Sequence, residues 1–186
     1  MKVAVLGAGP AGLYFAISMK RRDPAHEVTV FERNRPDDTF GWGVVLSAET
    51  LDNLAANDPE SAGWIREHFA YWDDIAVIHR GQRTLSTGHG FCGIGRKRLL
   101  LLLQRRAREL GVELAFETEI DDPKPYMATH DLVVAADGLN SRSRTAFAAA
   151  FQPDIDLRKC KFVWLGTRQK FDDAFTFIFE ETEHGW

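Results

Sequence analysis

Residues 3–12 read Val-Ala-Val-Leu-Gly-Ala-Gly-Pro-Ala-Gly, a short apolar run that breaks into G-x-G-x-x-G. No other stretch of the chain limits its fold so tightly. In this pattern the first glycine, Gly7, turns the chain sharply out of a buried strand. Gly9 lets backbone approach a pyrophosphate, and Gly12 lets the next helix pack close to the strand. Pro10 and Ala11 open that helix, whose free N–H groups and positive dipole end suit phosphate. The context agrees: a helical stretch runs from residue 10 to about 22, and a second apolar strand, 28–31, ends at Glu32. An acid twenty residues past Gly12 falls where a ribose hydroxyl is held. The segment therefore predicts a βαβ unit that binds a dinucleotide. The motif taken alone points most simply to NAD.

Several other classes are excluded. The longest aliphatic run, Leu99 to Leu103, is too short to span a bilayer. The apolar start continues into glycines and a helix, unlike a signal peptide with its small-residue cleavage site. A net charge of −4 gives no electrostatic reason to bind nucleic acid. Cys92 and Cys160 form no CxxC pair and share no zinc spacing with the histidines, so no metal site is expected. Both cysteines read as buried small hydrophobes in a protein of the reducing cytoplasm.

Along the chain, a polar loop at 34–39 leads into an apolar, two-glycine loop at 40–45. Ser47 is placed to cap a helix over about 48–56, and Asp58-Pro59 to start another reaching about residue 69. A β-hairpin is expected over 72–87, turning at Arg80-Gly81, followed by a loop-like, glycine-rich stretch at 88–95. A helix over 97–110 stops at Gly111. Its cations Lys97, Arg98, Arg105, Arg106 and Arg108 read as a solvated face. Strands follow at 112–116 and 131–136, then a helix from Ser141 to about 150. Two aromatic strands, 161–167 and 175–179, read as one buried sheet face in preference to the lining of an aromatic substrate pocket.

The segment from Asp131 to Arg144 carries a second signal. A buried strand delivers Asp137-Gly138 to its carboxyl end, where α/β sheets bind ligands. Ser141 caps the following helix, and Arg144 is placed to tie the loop down. Local chemistry alone is equally consistent with a plain strand, turn and capped helix.

Taken together, G-x-G-x-x-G, Arg96-x-x-Leu99 and the Asp-Gly segment resemble the flavin-dependent aromatic hydroxylases, the class A FAD monooxygenases. The loop at 37–47, the Trp72-Asp-Asp-Ile segment, Gly88-His-Gly-Phe91 and the segment at 160–167 are similar to salicylyl-CoA 5-hydroxylases and 2-aminobenzoyl-CoA monooxygenases. The Gly-Trp-Gly-Val-Val loop is also similar to a tryptophan hydroxylase of violacein synthesis. The resemblance covers essentially the whole chain. It implies an α/β fold: a Rossmann-like FAD-binding βαβ domain with a parallel sheet over residues 1–155, an inserted β-hairpin, and at 156–186 the start of an antiparallel substrate-domain sheet.

The resemblance further implies FAD held by Gly7, Gly9, Pro10, Ala11, Gly12, Glu32, Arg33, Arg96, Asp137 and Gly138, with Gly43 and Val44 near the flavin ring. An arginine beside a pyrophosphate also has a physical reason of its own, the bidentate charge-assisted bond. NAD(P)H would be the electron donor and O2 the oxidant. The substrate would be a small aromatic compound, with an aryl-CoA thioester preferred over free tryptophan. No catalytic side chain is nominated, because the cofactor carries the chemistry. His89, between two glycines, reads as a structural histidine. Full-length members carry a further Gly-Asp cofactor segment that is absent from this sequence, so the chain is expected to be incomplete and inactive alone. Other readings of the residues stay open: a non-catalytic FAD-binding fragment, a flavin reductase, or an NAD-dependent Rossmann oxidoreductase.

Overall fold

The computed structural model describes residues 1–170, 174–183 and 185. His184 and Trp186 lie outside the described residues. In chain order the elements are β1 (Lys2–Leu6), α1 (Pro10–Arg22), β2 (Glu27–Phe31), β3 (Gly43–Ser47), α2 (Ala48–Asn57) and α3 (Pro59–Arg66). Next come β4 (Ala70–Trp72), β5 (Asp74–His79), β6 (Gln82–Ser86), β7 (Phe91–Gly95), α4 (Arg96–Glu109) and β8 (Glu113–Ala115). The last are α5 (Lys124–Met127), β9 (Leu132–Ala135), α6 (Arg142–Ala146), α7 (Ala148–Phe151) and β10 (Ala174–Phe179).

A parallel sheet of order β8-β2-β1-β9 organises the molecule. β1 lies inside it, aligned with β2 from Lys2↔Glu27 to Leu6↔Phe31 and with β9 from Val3↔Leu132 to Leu6↔Ala135. Buried on both faces, β1 is a continuous apolar run rather than an alternating one. The buried residues Leu13, Ala16 and Ile17 of α1 pack with Leu99, Leu100, Leu103 and Ala107 of α4 over Val3, Val5, Val28 and Val30. β9 is an edge strand, so its side chains are half-buried rather than buried as the sequence suggested.

Two smaller sheets stand apart from this one. In the first, β7 runs antiparallel between β3 and β4. The loop expected at 40–45 becomes a strand from Gly43, and the stretch expected to be a loop at 88–95 supplies a central strand. The reason is Gly93: a Cβ there would stand 2.9 Å from the Trp72 ring. The glycine makes room for an indole and does not break the strand. In the second sheet the hairpin β5–β6 forms as expected, and β10 lies parallel to β5. The Trp72, Phe175, Phe177 and Phe179 rings form a ladder, with Trp72 and Phe175 stacked at 6.2 Å.

Caps fall where the sequence puts them. Ser47 Oγ accepts from Thr50 N, Asp58 Oδ2 from Ser61 N, and Ser141 Oγ from Arg144 N. Other expectations fail. The helix at Pro59 ends at Arg66, and the helix expected over 142–150 divides into α6 and α7 around Phe147. Residues 161–167 form no strand. The Phe162, Trp164 and β10 aromatics are largely exposed rather than a buried face, and Cys160 is exposed while Cys92 is buried. No helix among the described residues is long and apolar enough to cross a membrane.

Arg106 is the clearest departure from the solvated-face reading. It is buried and forks onto Asp58, with Nε to Oδ2 at 2.9 Å and Nη2 to Oδ1 at 2.8 Å. Arg106 Nη1 also meets Glu60 at 2.6 Å. This network joins α4 to the N-terminus of α3.

Candidate functional site

The carboxyl ends of β2, β1 and β9 open onto a cleft of about 430 Å³. Of the residues expected to hold a cofactor, Gly7, Gly9, Glu32, Arg33, Arg96, Asp137 and Gly138 all line it. Pro10, Ala11 and Gly12 form the first turn of α1 and are not in its wall, and neither are Gly43 and Val44, which belong to β3.

The glycine loop is built by close contacts. Gly7 has φ +108°, and a Cβ on it would stand 2.4 Å from the Ala136 carbonyl oxygen. A Cβ on Gly12 would stand 2.0 Å from the Gly7 carbonyl oxygen. Both positions therefore exclude a side chain for structural reasons. Gly9 differs, because a Cβ there would meet no atom within 4 Å. Gly9 lines the cleft, and packing does not exclude a side chain there. Gly9 is also the N-cap of α1; it offers no side-chain acceptor, and the first turn carries no acid. The turn therefore has no side-chain cap and no acid to compete with an anion at the positive end of the helix dipole.

Glu32 braces this loop. Its Oε2 accepts from Ala8 N at 2.8 Å, and its Oε1 accepts from Asn34 N and Asn34 Nδ2 at 2.9 and 2.7 Å. A carboxylate oxygen takes two donors, so Oε2 retains capacity for a ligand hydroxyl. The sequence reading missed Asn34, since a short amide two residues past the acid has no motif of its own.

On the other side of the cleft, Asp137 is committed to its own loop. Ser141 Oγ donates to Oδ1 at 2.6 Å and Ser143 N to Oδ2 at 3.0 Å. Burial works to raise the Asp137 carboxyl, but the bonds from Ser141 and Ser143 outweigh it and hold the pKa below the usual carboxylate value. Arg144 Nη2 donates to Leu139 O at 2.7 Å and ties the loop down as expected. Gly138 leaves open space where a Cβ would lie.

Arg96 brings the strongest sign of a missing partner. Its Nε is buried without a hydrogen-bond acceptor among the described residues. An unsatisfied guanidinium donor in a cleft wall is costly unless an oxygen-rich ligand meets it. The sequence reading did not place Phe40, Thr118, Glu119 and Arg142 in the wall. Arg142 pairs with Asp121 and, at 2.8 Å, with Glu119, which is also 3.8 Å from Arg33. His89 does not line the cleft; its Nε2 lies 2.7 Å from Ser86 Oγ, and its ring stacks on Phe91. No cluster of potential metal ligands occurs among the described residues.

The family described as pyridine nucleotide-disulphide oxidoreductase matches residues 1–109. A salicyloyl-CoA 5-hydroxylase from Streptomyces sp is 49% identical over 185 residues, covering 100% of this chain and 35% of that protein. A 3-hydroxy-4-methyl-anthranilyl-[aryl-carrier protein] 5-monooxygenase from Streptosporangium sibiricum is 36% identical, covering 100% of this chain and 51% of that one. The chain thus spans about a third to a half of the curated relatives it matches. Among solved structures, 2-methyl-3-hydroxypyridine-5-carboxylic acid oxygenase superposes with a TM-score of 0.67 at 25% identity, covering 78% of this chain and 42% of that one.

Proposed function

The chain belongs to the pyridine nucleotide-disulphide oxidoreductase family, and from that premise we propose that it is the FAD-binding portion of an aromatic monooxygenase. One observation carries this reading. The uncapped N-terminus of α1, the Glu32 carboxylate and the unsatisfied Arg96 Nε converge on a single cleft at the carboxyl ends of parallel strands. That donor set matches a dinucleotide, whose two phosphates take N–H groups and a guanidinium while a ribose takes a carboxylate.

In this reading the Gly9 turn and α1 hold the pyrophosphate, with Arg96 as its cationic partner. Glu32 accepts from a ribose hydroxyl, and Arg33 covers the adenosine end. The Asp137-Gly138 backbone borders the ribityl side, its shape fixed by Ser141, Ser143 and Arg144. Gly43 and Val44 sit in β3, whose neighbour β7 leads directly into Arg96. The bound flavin supplies electron transfer from NAD(P)H and oxygen insertion from O2 into an aromatic ring. The protein orients that ring and keeps water away from it. The names of the relatives favour an aromatic acyl thioester, on CoA or a carrier protein, as substrate.

The test is the visible spectrum of the purified chain, followed by titration with FAD. Flavin absorption, or saturable quenching of added FAD, supports the proposal. A colourless protein that binds NAD(H) and no flavin refutes it in favour of an NAD-dependent oxidoreductase.

A further inference from the structure

Two tryptophans clasp two glycines beside the cleft. A Cβ on Gly41, whose φ is +96°, would stand 2.8 Å from Trp164 Cζ3. A Cβ on Gly166 would stand 3.1 Å from Trp42 Cζ2 and 3.2 Å from its Cε2. Each indole thus lies on the bare backbone of the opposite segment, Trp164 on Gly41 and Trp42 on Gly166. The contact joins residues 40–42 to residues 164–166, which otherwise belong to a long exposed segment without regular structure. The clasp is tied to the site through Trp42 O, which accepts from Arg96 N at 3.0 Å.

Both rings are unusually exposed for such intimate packing, Trp42 at 66% and Trp164 at 63%. Trp164 and Phe40 also line the cleft that holds Gly9 and Arg96. The adenosine end is bordered by polar groups, and Phe31 there is already engaged edge-on by Tyr126 at 5.0 Å. The open aromatic surface is therefore Phe40 and Trp164.

We infer that residues 160–167 form a strap across the cleft, and that Trp164 is a positioning residue that packs against the flat non-adenine ring of the cofactor. The inference rests on the FAD reading above and adds the part of the molecule that senses which ring is present. Aromatic stacking adds to the burial of ring surface, so the strap discriminates FAD from a nucleotide that ends at its phosphates. The Gly41 and Gly166 contacts set the height of the Trp164 ring, and through Trp42 they couple the strap to the first residue of α4.

The experiment titrates the full chain with FAD and, separately, with ADP, reading tryptophan and flavin fluorescence. Trp164→Leu lowers FAD affinity about tenfold and leaves ADP affinity unchanged. Gly166→Val pushes the Trp42 ring away without being part of the cleft wall, and produces the same selective loss. Thermal melts show whether either variant is still folded. Unchanged FAD affinity in folded Trp164→Leu overturns the inference, as does an equal loss for FAD and ADP. Wild-type protein that binds neither nucleotide overturns the FAD reading and the strap with it.

Discussion

Gly9 and Gly12 are three residues apart in one motif, yet substitution by alanine separates binding from stability. At Gly9 the backbone has φ −67° and ψ 174°, which alanine adopts freely. A Cβ there touches nothing. Two small effects oppose each other: alanine is a poorer N-cap than glycine, and it restricts the unfolded chain, each by about 0.5–1 kcal/mol. The melting temperature of Gly9→Ala should therefore stay within about 4 °C of wild type. Its methyl group, however, fills the space through which phosphate oxygens approach the α1 N–H groups. Loss of two charge-assisted bonds, at roughly 1.5–3 kcal/mol each, weakens FAD binding by about 10² to 10⁴-fold. Gly12→Ala does the reverse first. Its Cβ would lie 2.0 Å from a backbone oxygen and 3.2 Å from Ala136 Cβ. α1 must move off the sheet, at a cost of about 1–3 kcal/mol or more. Differential scanning fluorimetry paired with flavin-fluorescence titration reads both quantities. A Gly9→Ala protein that binds FAD like wild type would refute the assignment of this turn to the pyrophosphate.

Three further expectations rest on named contacts. Arg96→Ala should reduce FAD affinity about tenfold or more without lowering the melting temperature, because the Nε it removes has no protein partner; a drop in the melt with unchanged affinity would assign it a structural role. Arg106→Met removes the forked cation from buried Asp58 and leaves it Arg21 Nε at 3.5 Å, so it should cost up to about 3–5 kcal/mol in urea unfolding, a result that a solvated Arg106 could not give. The carboxyls of Asp58 and Asp137 are both held below the usual value. In each, burial opposes the shift and hydrogen bonds outweigh it, from Arg106 and Ser61 to Asp58 and from Ser141 and Ser143 to Asp137. A depressed native pKa gives stability that is fully present above the unfolded value, about pH 4, and lost as pH falls through the native value. Urea midpoints should therefore be insensitive to these groups above pH 5 and drop in acid, with Asp58→Asn flattening that drop.

The first βαβ unit was legible because all its signals are local: an apolar run, three glycines, a helix and an acid at fixed spacing. The capping residues Ser47, Asp58 and Ser141 were legible for the same reason. What escaped depends on partners distant in sequence. Arg106 looks like its basic neighbours until Asp58, 48 residues earlier, turns out to be a buried N-cap beside it. The glycines of 88–95 suggest a loop until Trp72 needs the space over Gly93. The apolar stretch at 161–167 has the composition of a strand, but its Trp164 rests on Gly41 instead of a sheet. Of the residues singled out for the site, Gly7, Gly9, Glu32, Arg33, Arg96, Asp137 and Gly138 line the cleft and Pro10, Ala11, Gly12, Gly43 and Val44 do not, while Asn34, Thr118 and Glu119 entered it only through the geometry of the ends of β2 and β8.

The buried Asp58–Arg106 fork has a mechanical consequence as well as an energetic one. α4 begins at Arg96, in the cleft wall, and is anchored ten residues later at Arg106, so at the helical rise the two lie roughly 15 Å apart. The buried leucines hold the helix along its length, and the ion pair fixes its far end. A tilt of about 5° there swings Arg96 by roughly 1.3 Å, more than the slack a guanidinium–phosphate bond tolerates. Two parallel hydrogen bonds resist rotation where a single bond permits it. A fork that looks like ordinary core stabilisation thus joins the buried leucines of α4 in holding the aim of a cation in the cleft, a full helix segment away.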